Sequence, residues 1–303
     1  MIPLLILTVL FAAVTMLRFD GTDGGRLRSA LLALTPYSLA AEVVLGVVGL
    51  ALGHWWIGLA GLVLAGALAT QVAPRVIPAR IRGDGPRLRV LSANLFVGRG
   101  DVKTVIELVR EHRVDVLHLL ELTPAAAEEF DRAGLFDLLP HKVFRPDSGG
   151  IGSGIAACHP LDELTLPGPS LLAQPSARLT VDGVNVEVVA VHPVPPTGDP
   201  AAWKRELAGL PRPDERTIRV LAGDFNATVD HAAFRALLAT GYADAGLRHG
   251  AGLRPTWPAR WFPPPVTIDH VLTDARAAVT DYRVCKVPGS DHHAVYAELA
   301  LPT

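Results

Sequence analysis

The chain has 303 residues, half of them apolar, with a formal net charge of −2 and two cysteines. A mean hydropathy of +0.31 is high for a purely soluble enzyme, and the excess is concentrated at one end. From residue 84 onward, 22 lysines and arginines stand against 27 aspartates and glutamates. That part lacks the bulk basic charge with which proteins grip long nucleic acid, so any such grip must come from a local patch. Cys158 and Cys285 have no metal-type spacing, and whether they pair cannot be read from sequence.

Residues 1–73 hold three long apolar stretches. The first, MIPLLILTVLFAAVTML (1–17), carries no charged side chain and rises about 25 Å as a helix. It lacks a basic leading region and a small-residue cleavage site, so a membrane span is expected rather than a signal peptide. SALLALTPYSLAAEVVLGVVGLAL (29–52) and WWIGLAGLVLAGALATQV (55–72) are each close to the roughly 20 residues a span needs. Only Gly53 and His54 separate them, which predicts a helical hairpin with Trp55 and Trp56 at the interface. Glu42 lies inside the second stretch, where a carboxylate must be paired, protonated or turned to the bundle. Arg18, Arg26 and Arg28 precede the second stretch, and Arg75, Arg80 and Arg82 follow the third. Three spans put those arginines on one side, which the positive-inside rule assigns to the cytoplasm. Residues 74–86, PRVIPARIRGDGP, read as a linker.

Residues 87–303 have the pattern of an α/β domain. RLRVLSANL (87–95) alternates and then turns polar, as a strand does where it ends at a site. DVKTVIELVREH follows, with Val102, Val105, Ile106 and Val109 at helical spacing and Asp101 placed to cap. VDVLHLLEL (114–122), GVNVEVVAVHP (183–193), IRVLAGDFN (218–226), VTIDHVLTD (266–274) and HHAVYAELAL (292–301) read as further strands, separated by proline-rich loops such as RWFPPP. Strands outnumber clear helices and several are close in sequence, so mixed sheets are expected. No internal repeat and no heptads are present.

Strand after strand ends on an acid, amide or histidine: Asn94, Glu121, His192, Asp224 with Asn226, Asp269, and Asp291 with His292. Any one such residue is ordinarily a turn or cap. Four acids, two amides and two histidines brought together would suit metal-assisted attack of water on a phosphate ester, because hard divalent cations take oxygen ligands. A nucleophilic serine is poorly supported, since GSGIA (152–156) is not a G-x-S-x-G elbow.

GDFN, IDHV and SDHHAV, in that order, resemble the endonuclease/exonuclease/phosphatase superfamily, the fold of DNase I, over about residues 87–301. The resemblance implies an α/β (α+β) four-layer sandwich, two packed mixed β-sheets flanked by helices. It implies Asn94, Glu121 and Asp291 at the metal, His192 and Asn226 on the phosphate, and Asp224 orienting or deprotonating water. Asp269 would hold His292, the transition-state stabiliser or acid. SGIAACHPL (153–161) resembles the family's central strand, with Cys158 where serine is common. Two departures stand out: Phe96 replaces an acid after SANL, and only Asp147 offers the acid many nucleases carry before SGIAA.

With its N-terminal spans the chain is similar to membrane-anchored bacterial members, including glycopeptide-resistance proteins whose catalytic domain faces outward. That resemblance opposes the arginine count and favours a multi-pass cell-membrane protein with an extracytoplasmic domain. The expected function is a Mg²⁺-dependent (or Mn²⁺-dependent) phosphoesterase acting on a phosphomonoester, phosphodiester or lipid-linked pyrophosphate. The alternatives are a membrane nuclease on DNA or RNA, for which Arg145, Arg178, Lys204 and Arg205 are the cations to watch, and an inactive receptor or scaffold. Nucleic acid is the less favoured partner, the bilayer an expected one, and oligomeric state leaves no signature. His293 falls one step round the pleat from His292 and is expected to be structural.

Overall fold

The computed structural model describes residues 1–79, 83–260 and 262–302. Arg80 and Arg82 of the charge count, the middle of the 74–86 linker, Trp261 of RWFPPP and Thr303 lie outside the described residues.

The N-terminal region contains α1 (Ile2–Phe19), α2 (Arg26–Ala33), α3 (Thr35–Ala51) and α4 (Trp55–Val72). The expected second span is therefore not one straight helix. It bends by 66° between α2 and α3, and Pro36 is the reason. Its ring nitrogen has no hydrogen for the carbonyl of Leu32 one turn back. The Thr35 hydroxyl donates to that carbonyl instead, at 2.7 Å. Two helices, Ile2–Phe19 and Trp55–Val76, are long and apolar enough to cross a membrane, or three if the bent pair is one span.

The expected hairpin is present between α3 and α4, turning at Gly53. Its backbones nearly touch: a Cβ on Gly49 would lie 2.7 Å from the Gly58 nitrogen, and one on Gly61 2.8 Å from the Gly46 nitrogen. Small residues at the crossing allow this close approach. Glu42 faces the bundle interior, fully buried, and accepts from the Thr15 hydroxyl of α1 at 2.5 Å.

The remainder folds as β1 (Arg87–Asn94), α5 (Val102–Glu111), β2 (Val116–Leu120), α6 (Pro124–Arg132), β3 (His141–Arg145), β4 (Ser153–Ala157), β5 (Asp162–Leu164), β6 (Ser176–Val181), β7 (Val184–Val191), α7 (Pro200–Ala208), β8 (Ile218–Asp224), α8 (Ala232–Leu238), β9 (Tyr242–Asp244), α9 (Ala245–Arg248), β10 (Asp269–Asp274), β11 (Ala278–Lys286) and β12 (His293–Ala300). Two six-stranded sheets result, ordered β11-β12-β1-β2-β4-β3 and β5-β6-β7-β8-β10-β9. Each is mixed, because β1–β2 and β7–β8 are parallel while their neighbours run antiparallel. Pleating sends alternate side chains to opposite faces. Val90, Val116, Ile155, Val188, Val220, Val271 and Val295 fill the space between the sheets. Leu91 and Leu117 turn outward onto Val105 and Val109 of α5 and Phe130 of α6. Val189 and Leu221 do the same under Trp203 of α7 and Phe234 of α8. That is the expected four-layer sandwich. Asp101 caps α5 as read, accepting from the Thr104 amide at 2.7 Å.

SGIAA is not central. It forms β4, second from an edge, because β3 pairs outside it; HKVFR alternates too weakly to announce a strand.

One close approach inside the second sheet lies directly beside the polar strand ends. At Gly223, β7 and β8 approach so closely that a Cβ would sit 1.9 Å from the Val191 carbonyl oxygen. Gly223→Ala must separate the strands just before Asp224. The expected loss is about 1–3 kcal/mol or more, the usual range for an overpacked interior, read as a lower thermal midpoint of the full chain in detergent.

Candidate active site

Topology explains why the polar strand ends meet. The parallel pairs β1–β2 and β7–β8 all finish at one edge of the sandwich, delivering Asn94, Glu121, His192 and Asp224. The antiparallel strands β10 and β12 start from that same edge, bringing Asp269, Asp291 and His292. With Asn226, two residues past Asp224, all eight residues named from the sequence gather at one mouth.

Their contacts form a single network. The Asn94 side-chain nitrogen donates to Glu121 Oε1 at 3.2 Å and to Asp224 Oδ2 at 3.3 Å, while its oxygen accepts from the Phe96 amide. Glu121 Oε2 accepts from the Val97 amide at 2.7 Å. The Asn226 amide donates to Asp224 Oδ1 at 2.8 Å, and its side-chain nitrogen to the Pro193 carbonyl. His292 Nδ1 lies 3.0 Å and 3.2 Å from the two oxygens of Asp269. Its Nε2 is 3.7 Å from Asp224 Oδ2, and His192 Nε2 is 4.0 Å from the same oxygen. Trp257 Nε1 donates to Asp291 Oδ2 at 3.1 Å. Phe96, Val97, Glu121 and Asn226 hold positive φ between 47° and 56°, a left-handed conformation costing non-glycine residues about 1–3 kcal/mol each. Its concentration at this mouth marks a site the rest of the fold holds in place.

Burial and charge set the protonation states. Burial opposes charge on His292, but the Asp269 and Asp224 carboxylates outweigh it and push its pKa up to about 10. His192 is driven the other way, to about 4, by burial and by the neighbouring His292 charge. Burial and the Asp269 carboxylate raise Asp224 to about 7, against the pull of His292. One histidine is therefore a cation and the other a neutral ring, from the same residue type.

The donor set fits a hard divalent cation. Glu121 and Asp291 are half-buried carboxylates at the mouth, and Asp291 Oδ1 is buried without a hydrogen-bond partner among the described residues. Oxygen ligands of this kind suit Mg²⁺. A second cluster, Asp224, Asp269 and His292, also has ligand atoms within 4.8 Å of one another. There the Asp269 and Asp224 carboxylates push the His292 pKa up, and His292 Nδ1 is already engaged by Asp269.

Five features were not legible beforehand, the first being the Trp257 bond to Asp291. Thr256 accepts from the Ile268 and Asp269 amides, and Ser290 joins the His292 amide to the Asn94 carbonyl. Gln174 accepts from the His192 amide. The largest omission is the N-terminal region itself. A cavity of about 710 Å³ runs from Glu121, Asp224 and His292 to Ser29, Ala30, Ala33 and Leu34, so α2 and its C-terminus form a catalytic wall. Arg18 and Arg75 both clasp the buried Asp230, at 2.9 Å and 2.8 Å. Asp23 caps α8 through the Ala232 and Ala233 amides, and the His231 ring meets the Ser29 carbonyl at 3.0 Å. Arg18 and Arg75 were read only as topology charges.

Conversely, Asp147 is exposed and does not line this cavity. Arg145 pairs with Glu163, Arg178 pairs with Glu187, and Lys204 donates to the Gly24 carbonyl. Arg205 is exposed on α7, and none of the four lines the cavity. Both cysteines are free.

With this fold and constellation in view, the chain belongs to the Endonuclease/Exonuclease/phosphatase family, whose model matches residues 91–292. This superfamily comprises metal-dependent phosphoesterases and nucleases. Similar solved structures include an endonuclease/exonuclease/phosphatase from Beutenbergia cavernae DSM 12333, at 22% identity, 72% coverage of each chain and a TM-score of 0.55. An AP endonuclease from Archaeoglobus fulgidus is 17% identical, covering 69% of this chain and 98% of its own, TM-score 0.54. D. rerio TDP2 complexed with single strand DNA product is 16% identical, covering 70% and 98%, TM-score 0.53. No curated protein matches the chain.

Asp230→Ala leaves two buried arginines unpaired, for an expected loss of about 3–5 kcal/mol in chemical unfolding of the full chain. The pH dependence follows from His292, whose folded pKa lies above its ordinary 6.5. Its charged form is fully present below about 6.5 and is lost as pH rises through about 10. Asp269→Asn removes one stabilising carboxylate, so the alkaline limb of the pH–rate profile moves down by about 1–3 pH units.

Proposed function

We propose that the protein is a multi-pass membrane phosphoesterase, dependent on Mg²⁺ or Mn²⁺, that hydrolyses a phosphate ester or pyrophosphate carried by a lipid. The observation that carries the lipid part of this reading is the catalytic cavity itself: one end is the acid–histidine mouth, and the opposite wall is the apolar α2–α3 corner. A substrate with a phosphate head and an apolar chain matches both ends. Of the cations expected of a nuclease groove, Arg145, Arg178 and Lys204 are spent on other partners, and none of the four lines the cavity, so nucleic acid is the weaker reading. An inactive scaffold would have no need of four left-handed residues and a paired His292 at one mouth.

In this reading Glu121 and Asp291, with Asn94 beside them, would hold the cation. Bound there, it would polarise a phosphoryl oxygen and offset the charge developing on phosphorus. Asp224, with Oδ2 between His192 and His292, orients the attacking water and accepts its proton. His192 and Asn226 hydrogen-bond the phosphoryl oxygens. His292, kept cationic by Asp269, faces the oxygen that leaves as the P–O bond breaks and is positioned to protonate it. The domain is assigned to the extracytoplasmic side. Arg18, Arg28 and Arg75 are neutralised by Asp230 and Asp20, which reduces the weight of the opposing charge count.

The test is turnover by the full chain in detergent, offered a polyprenyl pyrophosphate, inositol phosphates, abasic duplex and plasmid DNA. The expected outcome is release of phosphate from the lipid substrate only with Mg²⁺ or Mn²⁺, with Asp224→Ala reducing it at least about 100-fold. Equal turnover in chelator, or by the Asp224 variant, overturns the phosphoesterase reading. Cleavage of the nucleic acids alone overturns the lipid one.

A further inference from the structure

A second cavity, about 620 Å³, lies on the other side of the α2–α3 corner. It shares Ala33 and Val266 with the catalytic cavity but none of the acids or histidines at the catalytic mouth. One wall is Pro36, Tyr37 and Ala40 at the start of α3, and the facing wall includes Leu253 and Pro255. Tyr37 spans the cavity's edge, its hydroxyl donating to the Pro265 carbonyl at 2.7 Å.

Its charges are one-sided. The acids that face it are already neutralised, Asp230 by Arg18 and Arg75, and Asp244 by His270 at 2.6 Å. Lys286 and Arg260 are exposed, and among the described residues neither makes an ion pair or side-chain hydrogen bond. His293, opposite Lys286 in the β11–β12 ladder, also lines the cavity, with its buried Nδ1 unpartnered among the described residues. An apolar wall continuous with a hydrophobic helix, edged by two spare cations, is complementary to an amphiphile with a negatively charged head. A neutral chain has no use for the cations, and a free anion has no use for the wall.

We infer that this cavity binds one anionic bilayer lipid, its head on Lys286 and Arg260 and its chains along Pro36, Tyr37 and Ala40. The site rests on the membrane part of the reading above, but not on its chemistry. This also gives His293 a setting distinct from that of His292: adjacent in sequence, the two rings face separate cavities.

The experiment uses the full chain. Cosedimentation with phosphatidylcholine vesicles comes first, and failure to sediment overturns the membrane reading and this site with it. The protein in detergent is then offered equal phosphatidylglycerol and phosphatidylcholine, and retained lipid is counted by native mass spectrometry. One phosphatidylglycerol should be retained in preference, the preference falling about fivefold for each of Lys286→Glu and Arg260→Glu. Ala40→Trp, which fills the apolar wall and leaves the charges alone, should also lower retention. Turnover of a water-soluble phosphodiester should be unchanged in all three variants. Vesicle binding without a phosphatidylglycerol preference overturns the lipid site alone, as does a preference indifferent to the charge reversals. Displacement of the lipid by millimolar inorganic phosphate would also overturn it. Lipid retention in a chain that hydrolyses no phosphoester would leave this site standing and sink the catalytic reading.

Discussion

The carboxylate of Asp230 is fully enclosed, and two arginines from different parts of the N-terminal region converge on it. Arg18 ends α1 and Arg75 follows α4, while Asp230 lies four residues beyond Asn226 on the loop that leaves β8. A buried charge of this kind is tolerable only with its partners in place. The clasp therefore makes the helical region and the catalytic domain mutually dependent. Asp23 on the α8 amides and Ser29 on His231 extend the same seam. Residues 74–79 continue it, with Arg75 offering its carbonyl to Gly252 and Ala79 its amide to Arg248.

A second constraint acts inside the mouth, where Asp224 and Asp269 are buried within reach of one imidazole. Two carboxylates so placed repel each other and resist ionisation. His292 resolves this by staying charged, while burial, with that charge beside it, holds the His192 pKa down. The division of labour between the histidines is thus electrostatic, and it is fixed by the order in which β10 and β12 enter the mouth. Behind the left-handed Asn226, β7 and β8 leave no room at Gly223 for even a Cβ.

Much of the site was legible because its residues sit at ends of strongly patterned strands. RLRVLSAN and VNVEVVAVH are apolar enough, and alternate enough at their starts, that the polar residue at each end is conspicuous. GDFN and SDH then give the order. Trp257, Thr256 and Gln174 were invisible, since they come from loops without periodicity and act through one or two hydrogen bonds each. Strands β3, β5, β6, β9 and β11 were missed as well, all at or next to a sheet edge. β3, β5 and β9 are too brief to separate from loop, and β11 is only partly buried along most of its length. The position of β4 followed from missing β3.

What the residues determined by themselves was local: helices where apolar residues recur, strands where they alternate, a hairpin where Gly53 permits a turn, and acids at strand ends. Even the break at Pro36 is local, because it arises from a missing hydrogen and a ring. Only the tertiary structure decided that the bent α2 packs on the domain rather than continuing in line with α3. Only there did Arg18 and Arg75 become partners of a carboxylate more than 150 residues away. The physical reason is that a charge pattern carries no record of its partner. Periodicity is a property of neighbouring residues, whereas neutralising a buried ion requires side chains brought together from distant parts of the chain.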